Sequence, residues 1–352
     1  MYRGYKIIAN TAAGRRRYMQ YLVPFVIASD VIDRYDIWIN THNGADIEFF
    51  KQLAEKFQKI NLVWQPDGVV NGISSINAFY KDCIDEDAIY FKLDDDIPWM
   101  EPDAIRKMVD FRIDNPDYFL VSPLVINNAA STYLLQLEDK IKFDKYYNSV
   151  CVHPVFSLNG EFCAQLHEWF LDNYLIPGKW ESLYVGKHPI ALARFSINAI
   201  LWFGRDLKKI DGIIPGDDEE FLSCIYPACL GKANCYNGDA IIAHFAFYTQ
   251  REILDKKDIL SRYGKYLADI WSTDSQMKPI HETVQSIINY IEGNLEDLSS
   301  RPSPYKAVPP KKEIKPTYKT RMALRLAHHL PTVYALFKRK DKGEENRKYI
   351  FL

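Results

Sequence analysis

The chain has 352 residues, of which 47% are hydrophobic and 26% charged, so it is long and apolar enough to bury a large core. Its formal net charge is only −2, but the charge is uneven: a basic tail follows an acidic body, and the acidic body without a recognition motif argues against a nucleic-acid partner. Its six cysteines form no CxxC pair and show no zinc spacing, so we expect reduced and mostly buried thiols. No stretch reaches about 18 apolar residues, so we expect a cytoplasmic protein without a signal peptide or a spanning helix.

The first predicted strand, Tyr5–Ala9, leads into a run of small residues and then into three arginines. A strand, a small-residue turn and a helix start present free backbone N–H groups to a phosphate. Thr11, Gly14 and Arg15 are therefore candidate donor-binding residues, with the arginine able to contact a diphosphate. The alternative is an ordinary turn followed by a solvated basic helix face.

Strands and helices then alternate, which is typical of a βαβ array with a parallel sheet. The predicted strands are Tyr35–Asn40 and Asn61–Trp64, and the predicted helices are Asp46–Lys59 and Ile73–Ile84. The loops after these strands should meet at one edge of the sheet. They add Asn40, Asp67 and Asn71 to the candidate nucleotide-binding residues.

The fourth strand, Ala88–Leu93, is apolar and aromatic enough to be buried on both faces, and three carboxylates follow it directly. Adjacent carboxylates at the edge of a core repel one another, so we expect a cation between Asp94, Asp95 and Asp96. A hard divalent ion with oxygen ligands fits this pattern. The alternative is a solvated acidic turn.

Residues 127–190 are rich in aromatic side chains and fit either an acceptor-binding region or a partly helical packing layer. A strand near 196–203 is followed by a second acidic run, Gly216–Glu220, which opens a helix. Asp217 and Asp218 in this run are candidate catalytic carboxylates. The alternative is that Asp217 only caps the helix. A later strand, Asp239–Phe245, carries His244 near its end, and a single histidine is by default more often structural than a ligand.

The C-terminal region changes composition twice. Residues 251–297 have a helical pattern, and residues 298–318 form a proline-rich basic linker. Residues 301–352 contain 14 Lys and Arg against 4 Asp and Glu. Within the basic tail 319–352, residues 319–340 have an apolar stripe at helical spacing, which is typical of a segment that lies on a membrane surface. Packing onto the protein's own body or onto a partner chain is the alternative.

Two motifs resemble the GT-A family of nucleotide-sugar-dependent glycosyltransferases: the triplet Asp94-Asp95-Asp96 after a buried strand, and FGRDLKKIDGIIPGDDEEFL at 203–222. The resemblance covers about residues 5–250. It implies a Rossmann-type mixed α/β sheet flanked by helices, with a C-terminal helical, basic tail. It also implies a Mn²⁺ or Mg²⁺ site of Asp96 and Asp94, completed by His244. By the same resemblance, Asp94 or Asp95 lies near the ribose or sugar, and Asp218 activates the acceptor, with Asp217 as its alternative.

From these features we predict a metal-dependent glycosyltransferase that moves a sugar from a nucleoside-diphosphate sugar to a hydroxyl of a glycan or lipid-linked acceptor. Cell-surface polysaccharide or glycoconjugate synthesis is the expected setting, with peripheral contact on the cytoplasmic membrane face. The alternatives are a nucleotidyltransferase of similar fold and a non-catalytic carbohydrate-binding or scaffold protein; a nucleic-acid partner is not expected. The expected division is 1–126 for the donor half, 127–250 for the acceptor and catalytic half, 251–297 for the helices, 298–318 for the linker and 319–352 for the tail.

Overall fold

The computed structural model describes residues 1–70, 73–149, 151, 154–190 and 193–306. Asn71, most of the predicted linker and the whole predicted tail therefore lie outside the described residues. No helix in the described part is long and apolar enough to cross a membrane.

One mixed sheet contains every strand of the described residues. The strands are β1 (Lys6–Ala13), β2 (Arg34–Ile39), β3 (Ile60–Val63), β4 (Ala88–Leu93), β5 (Trp99–Met100), β6 (Val121–Ile126), β7 (Lys187–Ile190), β8 (Ala199–Phe203) and β9 (Asn234–Ala243). Their order is β3-β2-β1-β4-β8-β6-β9-β5, and β7 also pairs with β9. The predicted α/β class with a mixed sheet is confirmed.

The first four strands are all parallel, as the alternation of strands and helices predicts. Their carboxyl ends therefore lie at the same edge of the sheet. Beyond β4 the direction changes, because β8 runs antiparallel to β4. Strand β6 is antiparallel to β8 and parallel to β9, so β9 points the same way as β4. The residues that follow β9 consequently reach the edge where β4 ends.

Helices cover both faces of the sheet. Their bounds are α1 (Arg16–Ala28), α2 (Gly44–Lys56), α3 (Ile73–Ile76), α4 (Ala104–Asp114), α5 (Ala129–Leu137), α6 (Pro154–Ser157), α7 (Gly160–Phe170), α8 (Gly204–Lys208), α9 (Asp218–Glu220), α10 (Tyr226–Leu230), α11 (Arg251–Lys256), α12 (Ile259–Trp271), α13 (Met277–Gly293) and α14 (Leu295–Ser300). Ile89 and Phe91 of β4 belong to a core built with α1, α2, α4 and α13. Tyr90, between them, belongs to the opposite core with α5, α7 and α12. The alternation of side chains along a strand thus supplies both cores.

Every residue of β4 is buried, because the strand is central and both of its faces are covered. Its apolar side chains explain why it occupies this position. The exception in composition is Lys92, a buried charge one residue before the strand ends. The acidic triplet follows immediately, so β4 delivers charged groups directly to the edge of the sheet.

The predicted helix Ile73–Ile84 is instead a short α-helix followed by a 3₁₀ helix over Asn77–Asp82. Its side chains bind across to the second acidic run. Asn77 Nδ2 donates to the carbonyl oxygen of Gly216 at 2.8 Å. Tertiary contacts of this kind override the local helical pattern, and they hold the loop before α9 against the sheet.

The described C-terminal segment returns to the edge where β2 ends. Tyr305 is buried, and its hydroxyl donates to the carbonyl oxygen of Ile39 at 2.8 Å. Helix α14 lies against the start of α2, where a Cβ on Gly44 would come within 2.2 Å of the carbonyl oxygen of Leu298. Glycine permits this close approach. The first residues of the predicted linker, up to residue 306, therefore pack on the body of the protein.

Candidate functional site

Two carboxylates and one histidine meet at the carboxyl edge of the sheet. Asp94 and Asp96 follow β4, and His244 follows β9, which points the same way. One possible ligand atom from each of the three lies within 4.8 Å of the others. The sheet topology therefore brings together residues about 150 positions apart in the sequence.

Asp96 is the most heavily contacted of the three acids. It is 3% exposed, and its carboxylate lies 3.0 Å from Arg15 Nη2, 3.3 Å from His244 Nε2 and 3.5 Å from Arg251 Nη2. Burial alone would raise its pKa, but the charges of His244 and Arg15 outweigh burial and lower it. Asp96 is therefore held as a carboxylate. In return it raises the pKa of His244, against the lowering effect of burial.

Asp95 has a different set of partners from its two neighbours. Its carboxylate accepts a 3.0 Å hydrogen bond from the Gly14 backbone N–H and another of 3.0 Å from Arg15 Nε. Burial raises its pKa, and the charge of Arg15 offsets this only in part. Asp95 thus ties the predicted phosphate-binding turn to the acidic triplet, while Asp94 and Asp96 share the side that carries His244.

Asp94 is the most exposed of the triplet and is held by neighbours on β4 and next to β8. Lys92 Nζ contacts its carboxylate and also donates to the carbonyl oxygen of Ile197 at 2.8 Å. Asn198 Nδ2 donates to the second carboxylate oxygen at 3.1 Å. The sequence interpretation missed Lys92, although a single lysine in an otherwise apolar central strand is itself a signal. Nothing in the sequence pattern singled out Asn198 or Arg251.

The second acidic run lies close enough to Asp94 and Lys92 for their charges to shift the pKa of Asp218. Tyr80 OH donates a 2.9 Å hydrogen bond to Asp218 Oδ2. Burial raises the pKa of Asp218, and the negative charge of Asp94 adds to this, while Lys92 and Tyr80 oppose it. The carboxylate of Asp218 is therefore more basic than an ordinary aspartate.

Asp217 has a structural role at the start of α9. It accepts a 3.1 Å hydrogen bond from the backbone N–H of Glu220, as a helix-capping side chain does. Its other oxygen lies 3.0 Å from Arg194 Nη2. Arg194 also binds Glu219 at 2.8 Å, so a single arginine organises the acidic run.

The remaining predicted donor residues are spread along the same edge. Thr11 Oγ1 forms a 2.8 Å hydrogen bond with Tyr35 OH, and Asp67 Oδ1 caps its own turn by accepting from Val69 N at 2.9 Å. Asn40 donates its backbone N–H to Ala13. The Asn40 Oδ1 atom is buried without a hydrogen-bond partner among the described residues.

The arrangement fits a divalent cation. Two carboxylate oxygens suit Mg²⁺ or Mn²⁺, and an imidazole nitrogen is a better ligand for a transition ion such as Mn²⁺. His244 is 3% exposed, and its Nδ1 atom has no hydrogen-bond partner within the described part of the chain. The other ring nitrogen, Nε2, is the one that lies 3.3 Å from Asp96, so His244 presents a nitrogen to the two carboxylates.

A cavity of about 530 Å³ lies between α1, α4, α12 and α13, and none of these acids lines it. Its size alone would make it a candidate site. Two of the carboxylates that line it have partners of their own, however. Glu101 binds Lys107 at 2.6 Å and Tyr184 at 3.0 Å, and Asp274 caps the start of α13. We place the candidate site at the carboxyl edge of the sheet, because two carboxylates and a histidine converge there.

No protein-family profile matches this chain, and no curated protein sequence matches it. Solved structures align over most of it with low similarity. A 4-diphosphocytidyl-2C-methyl-D-erythritol synthase from Anaerococcus prevotii aligns with a TM-score of 0.39 and 11% identity, covering 74% of this chain and 96% of its own. A CMP:2-keto-3-deoxy-manno-octonic acid synthetase complexed with CTP gives 0.39 and 10%, covering 73% and 98%. Residues 1–349 of S. aureus TarS give 0.38 and 10%, covering 83% and 91%.

Proposed function

We propose that this protein is a metal-dependent glycosyltransferase that moves a sugar from a nucleoside-diphosphate sugar to a hydroxyl of a glycan or lipid-linked acceptor. The observation that carries the proposal is the meeting of Asp94, Asp96 and His244 within 4.8 Å at the carboxyl edge of the sheet. Ligands of open α/β sheets bind at this edge. The proposed setting is cell-surface polysaccharide or glycoconjugate synthesis.

In the proposed site, Asp94, Asp96 and His244 hold Mn²⁺ or Mg²⁺, which when bound neutralises the negative charge that develops on the departing nucleoside diphosphate. Arg15 and Arg251 both reach Asp96. Their guanidinium groups are placed to bind phosphate oxygens beside the acids. Asn40 Oδ1 is a buried acceptor without a hydrogen-bond partner among the described residues, and in the proposed site it would accept from a ribose or sugar hydroxyl.

Asp218 is the proposed general base. A sugar hydroxyl is a weak nucleophile at neutral pH, and a carboxylate of raised pKa accepts its proton more readily than an ordinary one. Tyr80 orients this carboxylate through its hydrogen bond. Asp217 is the less suitable base, because both of its oxygens are committed to the helix cap and to Arg194.

A nucleotidyltransferase is the second candidate, and the two arginines beside Asp96 favour it. Such an enzyme needs cationic groups that stabilise the charge on an attacked α-phosphate, and Arg15 and Arg251 could supply them. The products distinguish the two reactions, because a nucleotidyltransferase releases pyrophosphate from a nucleoside triphosphate. A glycosyltransferase releases a nucleoside diphosphate from a sugar nucleotide.

The test is to incubate the full-length protein and Mn²⁺ with a panel of sugar nucleotides together with a mixture of glycan and lipid-linked acceptors and, separately, with nucleoside triphosphates and sugar phosphates. We expect metal-dependent release of a nucleoside diphosphate, lowered by about 10²–10⁴-fold in Asp218→Asn. Asp217→Asn, on the adjacent residue, is the matched control and should retain most of the activity. Pyrophosphate release would instead support the second candidate. No release from any donor would leave a non-catalytic binding protein as the better explanation.

The proposed peripheral membrane contact concerns residues 319–340, which lie outside the described part of the chain. It rests on their basic, amphipathic sequence alone. A cytoplasmic location, on or near the cytoplasmic membrane face, is part of the same proposal.

A further inference from the structure

The cavity of about 530 Å³ between α1, α4, α12 and α13 plays no part in the proposed transfer. Its volume falls within the roughly 300–1,000 Å³ of pockets that enclose small molecules. All of its lining residues belong to the described part of the chain, and none of them is one of the acids at the carboxyl edge of the sheet. A ligand bound here would therefore be additional to the sugar donor and the acceptor.

Aromatic rings form much of the wall of this cavity. Trp99 and Trp271 are almost fully buried, at 1% and 3% exposed. The ring of Trp180 meets that of Trp99 edge-on at 5.7 Å between centroids, and Phe25 meets Trp271 edge-on at 5.2 Å. Phe25, Trp180 and Tyr266 are only half-buried, so each keeps open ring surface. The faces of such rings attract a cation placed over them.

The charged groups of the lining are mostly carboxylates. Asp30, Glu101, Asp103 and Asp274 line the cavity, and Arg106 is the one cationic residue that lines it in the described chain. Arg106 is itself paired with Asp30. An anionic ligand such as a sugar nucleotide would meet a surplus of negative charge here, whereas a cation would be attracted.

Two of the remaining carboxylates differ from the third in their partners. Glu101 is buried and paired with Lys107 at 2.6 Å. Asp103 and Asp274 have no cationic partner among the described residues. Asp274 accepts backbone hydrogen bonds at the start of α13, and Asp103 is exposed and makes no capping bond to α4. These two carboxylates therefore leave negative charge unmatched beside the aromatic wall.

We infer that this cavity binds a small organic cation, in which an amine or quaternary ammonium group is carried on an apolar body. The apolar body packs against the aromatic rings, and the positive charge lies between the ring faces and the carboxylates of Asp103 and Asp274. The inference does not depend on the proposed glycosyl transfer, because no residue of the cavity takes part in that reaction.

The test is calorimetric titration of the full-length protein at pH 7 with probes of similar size and different charge. Phenethylamine, which is protonated at this pH, and benzyltrimethylammonium are the cations. Phenethyl alcohol is the neutral analogue and phenylacetate is the anion. No sugar nucleotide or metal is added, so the result is independent of the proposed reaction.

The variants separate the aromatic wall from the carboxylates. Trp180→Leu removes a ring but keeps an apolar side chain, and Trp180→Phe keeps a ring. Asp103→Asn removes an unpaired charge from an exposed position with little change of shape. The matched controls are Trp64→Leu, at a tryptophan that is 38% exposed, and Asp87→Asn, at an exposed aspartate, because neither residue lines the cavity.

We expect at least one of the two cations to bind about tenfold or more tightly than phenethyl alcohol, and phenylacetate to bind more weakly still. The affinity for that cation should fall about threefold or more in Trp180→Leu and in Asp103→Asn, fall less in Trp180→Phe, and stay unchanged in both controls. The inference is overturned if neither cation binds, if the alcohol binds as tightly as the cations, or if Trp180→Leu and Asp103→Asn both bind as well as the wild type.

Discussion

Tyr80 OH donates a 2.9 Å hydrogen bond to Asp218 Oδ2, and this bond joins the 3₁₀ helix before β4 to the acidic run after β8. Tyr80 itself is completely buried. The hydrogen bond from this buried hydroxyl fixes the orientation of the Asp218 carboxylate. It also lowers the pKa of Asp218, against the effect of burial, which raises it. The bond therefore connects a packing feature of the fold to the proposed chemistry.

The variant Tyr80→Phe should move the acid limb of the pH–rate profile to higher pH. The base works when deprotonated, so activity falls as the pH drops through the pKa of Asp218. The hydrogen bond from Tyr80 lowers that pKa, and its loss should raise it further, by roughly one unit. The measurement is kcat/KM for sugar transfer against pH. The control is Tyr263→Phe, at another buried tyrosine that is far from the acids in sequence, and it should leave the acid limb in place. An acid limb that does not move in Tyr80→Phe would argue against Asp218 as the base.

Lys92→Met should destabilise the protein by about 2–3 kcal/mol, because it leaves Asp94 and the carbonyl oxygen of Ile197 without their shared donor. This value is at or below the low end of the range for breaking a buried ion pair, because the side chain of Asp94 is 30% exposed. The free energy of unfolding in denaturant measures the effect. Lys256→Met is the matched control: its fully exposed pair with Glu252 should contribute little to the free energy of unfolding. Equal stabilities of the two variants would contradict a structural role for the buried lysine.

His167 should make the protein less stable in mild acid. Its ring is fully buried between Tyr263 OH and the carbonyl oxygen of Phe245, and burial lowers its pKa from 6.5 to about 4. Below pH 6.5 the unfolded chain binds a proton at this residue that the folded protein does not. The contribution to stability is therefore lost at about 1.4 kcal/mol per pH unit between pH 6.5 and 4.

The variant His167→Gln removes this titration and isolates it. The unfolding free energy is measured for wild type and variant at pH 7 and at pH 4.5. The value for wild type minus that for the variant should be about 2–3 kcal/mol lower at pH 4.5 than at pH 7. A difference that does not depend on pH would mean that the histidine is not buried in its neutral form.

Two glycines provide an internally controlled test of the packing. A Cβ on Gly204, where β8 passes into α8, would lie 2.0 Å from the carbonyl oxygen of Asp85 and 2.9 Å from the Tyr90 ring. Gly204→Ala should therefore destabilise the protein by about 2 kcal/mol or more. At Gly293, in α13, a Cβ would meet nothing within 4 Å, so Gly293→Ala should stabilise the helix by about 0.5–1 kcal/mol. Thermal unfolding of both variants measures the contrast.

Much of the N-terminal fold could be predicted because its pattern is local. The apolar strands up to β4 alternate with amphipathic helices, and right-handed parallel connections leave few other arrangements. The position of Asp94–Asp96 at the edge of the sheet follows from the end of β4 alone. The reversal at β8 and the pairing of β9 with β6 depend on contacts between distant segments, which no local pattern records.

The partners of the acids were the least predictable part of the site. His244 was expected near the acids by resemblance, and the structure places it there. Arg251 and Asn198 reach the acids only through the way the chain folds, and their sequence surroundings are unremarkable. Asn234–Gly238, the first half of β9, is polar and was not predicted as a strand. It is buried here because β6 and β7 flank it.

The most direct test of the account is calorimetric titration of nucleoside diphosphates into the full-length protein, with and without Mn²⁺, for the wild type, Asp94→Asn and Asp96→Asn. Asp87→Asn is the matched control, because Asp87 is an exposed aspartate at the opposite end of β4. The account predicts Mn²⁺-dependent binding of at least one nucleotide that is lost in both site variants and kept in the control. Binding that is unaffected by Mn²⁺ and by both substitutions, or no binding of any nucleotide, would contradict it.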